Sequence, residues 1–192
     1  WNQSGQAGWW VAAIAVDTAG WVFAASGVLY RSINQGVTWV QLSPQGINAL
    51  AVSDSGIVYA GGLGIHYSID GGTSWSRVEI PERSVHALAF GDSAKVYAAT
   101  DAGVYHFLHS FPGADSTTID VPTYALARGD SNAVFAGTSD GAFRSVNGGA
   151  VWNRSGLTGK HVLSFAIGPY GKMFAGTDSS VFQSTDGGVT WG

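Results

Sequence analysis

Ser184-Thr-Asp186-Gly-Gly188-Val-Thr-Trp191 is one of four segments written to a single pattern. The others are Ser32-Ile-Asn34-Gln-Gly36-Val-Thr-Trp39, Ser68-Ile-Asp70-Gly-Gly72-Thr-Ser-Trp75 and Ser145-Val-Asn147-Gly-Gly149-Ala-Val-Trp152. Their serines stand 36, 77 and 39 residues apart, so the middle interval spans two periods and a degenerate copy is expected within it. Working outward, a short apolar strand recurs around Ile14, Leu50, Leu88, Leu126 and Phe165. A second recurs around Phe23, Tyr59, Tyr97, Phe135 and Phe174, written aromatic-Ala-Gly/Ala, and a third at Tyr30, His66, Tyr105, Phe143 and Phe182. Between the first two lie Asp17-Thr-Ala-Gly20, Ser53-Asp-Ser-Gly56, Gly91-Asp-Ser-Ala94, Gly129-Asp-Ser-Asn132 and Gly168-Pro-Tyr-Gly171, all turn-forming compositions.

Five copies of about 38 residues account for the chain. Each reads as strand, turn, strand, turn, strand, hairpin, strand, and no stretch carries helical periodicity. Four short antiparallel strands per copy, repeated five times, predict an all-β, five-bladed β-propeller forming a single domain over residues 1–192. Trp1-Asn-Gln-Ser-Gly5 matches the fourth-strand segment Trp152-Asn-Arg-Ser-Gly156, whereas the last copy stops at Trp191-Gly192. The N-terminal segment is therefore expected to supply the last blade's fourth strand, closing the ring and removing a sheet edge.

The Ser-x-Asp/Asn-x-Gly-x-Thr/Ser-Trp segment resembles the Asp-box, or bacterial neuraminidase repeat, of a large group of propellers. Physically it is a hairpin device: the Asp or Asn side chain accepts hydrogen bonds from turn amides, glycines supply positive φ, and the Trp packs back into the sheet. The resemblance implies that these hairpins lie away from the ligand face. It extends to sialidases, xyloglucanase-like hydrolases, sortilin-type receptors and a photosystem assembly factor. Through them it implies an extracellular, cell-surface or periplasmic location.

Composition narrows the function. With 9 Lys+Arg, 13 Asp+Glu, a net charge of -4 and no basic run, the chain offers nothing for a nucleic acid held by counterion release. It has no cysteine, which excludes a disulfide scaffold, a thiolate metal site and a cysteine nucleophile. The longest apolar run, Trp9 to Val16, is too short for a membrane span, and no signal-peptide pattern is present. No cofactor and no metal are expected, and the unit reads as a monomeric ring or a module of a larger protein.

Most acidic residues fall on recurring turn positions. Loops between the second and third strands contribute Asp101, Asp140 and Asp178, a partial ring of carboxylates suited to a hard cation or sugar hydroxyls, or simply good turn residues. Segments entering the first strands contribute Trp9, Trp10, Glu82, Arg83, Ser84, Tyr124, Lys160 and His161. Here the copies differ most, and variable loops on a rigid scaffold are where binding specificity is built. Packing of Trp9 and Trp10 is expected ahead of exposure. His106 and His109, three apart on a strand, point to opposite faces and make a poor metal pair. A sialidase would need three converging arginines, and most arginines here are repeat positions. A paired-carboxylate hydrolase would draw on Glu79, Glu82, Asp115 and Asp120, which nothing in the sequence pairs. The expected function is non-catalytic recognition of a protein or glycan on the loop face, with a glycoside hydrolase-like or sialidase-like enzyme as the alternative.

Overall fold

A computed structural model describes residues 10–78, 80, 81, 83–91, 95–108, 114–130 and 132–192. Among these the chain is all-β, with no helix long and apolar enough to cross a membrane. The first sheet comprises β1 (Ala13–Val16), β2 (Val22–Ala25), β3 (Val28–Ser32) and β4 (Val40–Gln45); the second, β5 (Ala49–Val52), β6 (Val58–Gly62), β7 (Gly64–Ser68) and β8 (Ser76–Val78). The third holds β9 (Val85–Phe90), β10 (Lys95–Thr100), β11 (Gly103–Leu108) and β12 (Asp115–Ser116). The fourth holds β13 (Thr123–Arg128), β14 (Val134–Thr138), β15 (Gly141–Ser145) and β16 (Asn153–Arg154), and the fifth β17 (Val162–Ile167), β18 (Met173–Thr177) and β19 (Val181–Ser184). In every sheet, sequence neighbours are spatial neighbours, the up-and-down order that short turns impose.

The third copy, which lacks the hairpin motif, still forms four strands, with β12 pairing Ser116 to Tyr105 and Asp115 to His106. In the fifth sheet Gly192 pairs with Gln183 through both backbone bonds, at 2.8 and 2.9 Å. The strand expected from residues 1–8 lies outside the described residues.

The chain forms two compact units, one up to Leu88 and one from Ala89 onward. The first has a core of Phe23, Ala25, Leu29, Ile47, Val58 and Ala60. The second has cores around Tyr97, Val134 and Trp152, around Phe135 and Met173, and around Ala142, Val162 and Ala175. In four sheets the aromatic of the second strand is the anchor, Phe23, Tyr59, Tyr97 and Phe135 all being fully buried; in the fifth, Phe174 is 40 % exposed and Met173 is the buried residue.

The four repeated hairpins are built as the residue types dictate. Ser184 Oγ donates to Asp186 Oδ1 at 2.8 Å and accepts the Gly188 amide at 2.9 Å. Asp186 Oδ1 accepts the amides of Val189 and Thr190, and the Thr190 hydroxyl donates to Oδ2 at 2.6 Å. Ser32 with Asn34, Ser68 with Asp70 and Ser145 with Asn147 repeat the arrangement, the serine buried each time. Hydrogen bonds from the Ser74 hydroxyl and amide, then from Ser68, pull the Asp70 carboxyl down to about 2, and those from Thr190 lower Asp186 in the same way. Gly188 (φ +78) places its backbone against Phe135, where an ideal Cβ would lie 2.5 Å from the ring.

Candidate functional site

In the second unit, the segment that enters the fifth sheet is pinned on two sides. Gly141, the first residue of β15, donates its amide to Lys160 O at 2.8 Å; Asp178, in the β18–β19 loop, donates its amide to His161 O at 3.3 Å. The Lys160–His161 pair is thus held rigidly between two turns while the His161 side chain stays 54 % exposed. The Tyr124 ring, at the start of β13, lies 6.5 Å from the His161 ring, tilted by 39°. His161 Nδ1 stands 4.0 Å from Asp178 Oδ2, the outer limit of an ion pair. Three residues from three different segments therefore gather on one surface, and each was singled out by its place in the repeat.

Asp140 goes elsewhere. Arg154, on β16, grips it with Nη2 to Oδ2 at 2.5 Å and Nη1 to the Asp140 carbonyl at 2.8 Å, while the Gly159 amide donates to Oδ1 at 3.0 Å. The Arg154 hydrogen bond, then the Gly159 amide, hold this carboxyl below the usual range. The reason is a one-residue offset. Thr100, Thr138 and Thr177 are equivalent: their hydroxyls donate to the carbonyls of Gly103, Gly141 and Ser180 and accept amides within the turn. Asp101 and Asp178 follow their threonine directly, whereas Asp140 comes one residue later and is turned toward Arg154. Among the described residues no three His, Asp or Glu side chains gather to hold a metal ion.

In the first unit, Arg83 is exposed and contributes its backbone carbonyl, which accepts the Gly64 amide at 2.9 Å, while Ser84 bridges to Leu63. Trp10, just ahead of β1, is 85 % exposed, against the expectation of packing. Trp9, Glu79, Glu82 and His109 lie outside the described residues. His106 faces Tyr97, with ring centroids 6.2 Å apart, and is half-buried. Asp115 and Asp120 are exposed, Asp115 on β12. Arg154 was missed by sequence reasoning, which set it aside as a repeat residue; the offset of Asp140 within its turn was the available signal.

The surface around Tyr124, His161 and Asp178 offers an aromatic face, an imidazole and a carboxylate. That suits recognition of a side chain carrying both polar and apolar parts. The described carboxyls with displaced titration, Asp70, Asp140 and Asp186, are all lowered.

No protein-family model matches the chain, and no curated protein sequence matches it. Solved structures do. An ancestral GH74 enzyme superposes with a TM-score of 0.82 at 22 % identity, covering 96 % of this chain and 31 % of its own. The extracellular domain of a one-component system from B. thetaiotaomicron follows at 0.77 and 14 %, covering 89 % of this chain and 27 % of its own. The fold is a β-propeller fold. YCF48 bound to a D1 peptide shares it at a TM-score of 0.72 and 16 % identity, covering 95 % of this chain and 65 % of its own. The chain thus spans less than two thirds of the length of each of these relatives, and the likeness extends to fold alone.

Proposed function

We propose that this propeller is a non-catalytic recognition module that binds a peptide segment of a partner protein on the surface formed by Tyr124, His161 and Asp178. The observation that carries the reading is the convergence of those three side chains from separate segments that backbone hydrogen bonds hold in place. A preorganised surface lowers the ordering cost of binding, which is what a rigid scaffold with short loops provides. The peptide-bound YCF48 supports a protein partner in preference to a glycan, and the extracellular domain among the relatives supports a location outside the cytoplasm. Trp10 and Arg83 are candidate contacts for a partner of the first unit.

Selection of random dodecapeptides displayed on phage tests this reading, with the Tyr124→Ala, His161→Ala, Asp178→Asn triple variant as counter-target and a glycan array in parallel. Peptides that bind the wild-type domain and fail on the triple variant support it. Enrichment of peptides indifferent to the three substitutions, or binding to glycans alone, overturns it.

A further inference from the structure

A second site emerges from comparing equivalent cations along the repeat. Arg31, the residue before the hairpin serine of the first sheet, lies 5.0 Å over the Trp21 ring and donates Nη1 to Gly71 O at 2.5 Å. Gly71 follows the aspartate of the next hairpin. In the second unit Lys95 Nζ donates at 2.8 Å to Gly148 O, the same position of another hairpin. A cation thus caps that half-buried turn carbonyl in two places.

Arg144 occupies the position of Arg31, before Ser145, and Gly187 the position of Gly71. The latch is not made. Arg144 sits 5.8 Å from the Phe135 ring centroid; its Nε, like that of Arg31, is buried with no acceptor among the described residues, but it lacks the Nη bond that Arg31 makes to the next hairpin. Arginine stays charged under all ordinary conditions and carries five donors, so a guanidinium without the Nη1 bond that Arg31 makes keeps donor capacity for a ligand.

Two cavities flank it. The smaller, about 70 Å³, has Asp130 in its wall, which disfavours an anion there. The larger, about 160 Å³, is lined by Arg144, Asn153, Arg154 and Ser155, with Val146 and Val189 beside them, each more than half exposed. Arg154 is already paired with Asp140, so Arg144 is the cation left to attract a ligand. We infer that this larger cavity binds a carboxylate carried on a short apolar stem, with Arg144 as its principal anchor. A carboxylate presents two oxygens to the guanidinium fork, Asn153 adds an amide, and the two valines cover the stem. A bare inorganic anion would fill the charge requirement and leave the valines unused.

The inference is independent of the loop surface around His161. Its test is a nuclear magnetic resonance titration of ¹⁵N-labelled protein, following the Arg144 Nε–Hε resonance. The probes are acetate, N-acetylglutamate amide and a glutamate-containing hexapeptide, with sodium sulfate and sodium chloride at matched ionic strength. A saturable shift of that resonance with the carboxylates, together with shifts of the Ser155 and Val189 backbone amides that weaken about tenfold or more in Arg144→Gln, supports the site. Tighter binding of the hexapeptide assigns the carboxylate to a protein, and equal binding of the two amino-acid probes assigns it to a free acid. If the resonance is unmoved by carboxylates, or follows chloride equally, the inference fails. The wild-type titration decides this even if the variant does not fold.

Discussion

Gly187 and Gly188 are neighbours in one turn with the same backbone demand and different surroundings, so alanine at each separates two forces. Both have left-handed φ, +70 and +78, which costs an alanine about 1–2 kcal/mol. At Gly187 nothing lies within 4 Å of an added Cβ. At Gly188 that Cβ would fall 2.5 Å from Phe135 Cε1, 3.2 Å from Cζ and 3.3 Å from Met173 Sδ. Phe135 and Met173 are 2 % and 1 % exposed, so neither retreats into solvent, and overpacking adds about 1–3 kcal/mol. Gly187→Ala is therefore expected to lose about 1–2 kcal/mol and Gly188→Ala about 2–5 kcal/mol. Urea unfolding followed by tryptophan fluorescence measures both, and for a chain of this size each kcal/mol moves Tm by about 2–4 °C. Equal midpoints for the two variants would refute the claim that Gly188 is required by close packing against Phe135.

Three further outcomes follow from the same geometry. Asp70 is held at about 2, below its ordinary 3.8, so it contributes stability that is present above pH 3.8 and lost as pH falls toward 2. Asp70→Asn, which adopts the bonding of Asn34 and Asn147, should lose that pH dependence in urea midpoints while changing little at neutral pH. Phe135→Ala removes a buried anchor and should destabilise by about 3–5 kcal/mol in the same assay. His161→Ala and Asp178→Asn alter exposed side chains and should stay within about 0.5 kcal/mol of wild type, so any binding loss they cause reflects contact and not unfolding.

The hairpins were legible in the sequence because everything that makes them lies within a few residues: Ser184, Asp186 and the amides of Gly188 to Thr190. The strand landmarks were legible for a related reason, since an aromatic followed by two small residues marks a strand buried on both faces, as in β14. What stayed hidden depends on direction. Trp39 and Trp75 donate their indole N–H to Gly36 O and Gly72 O in their own hairpins, yet Trp191 reaches Ser155 O in the preceding sheet. The motif places the ring and leaves its partner open. Asp140 likewise matched its loop position but, shifted by one residue, turned to Arg154. The bond that Arg31 makes to Gly71 O and Arg144 does not make to its counterpart depends on neighbouring surfaces that no single repeat encodes.

The locality of the hairpin bonds has a kinetic consequence. The bonds made by Ser68 and Asp70 all close within four residues of chain, as do those of the other three hairpins. Short loops close in about 10–100 ns, far faster than distant segments meet. Each hairpin is therefore available as a nucleus early, and strands joined in sequence order add to it without long searches. Folding is then expected to grow from several seeds along the chain, with the packing of one grown segment against the next as the slower step.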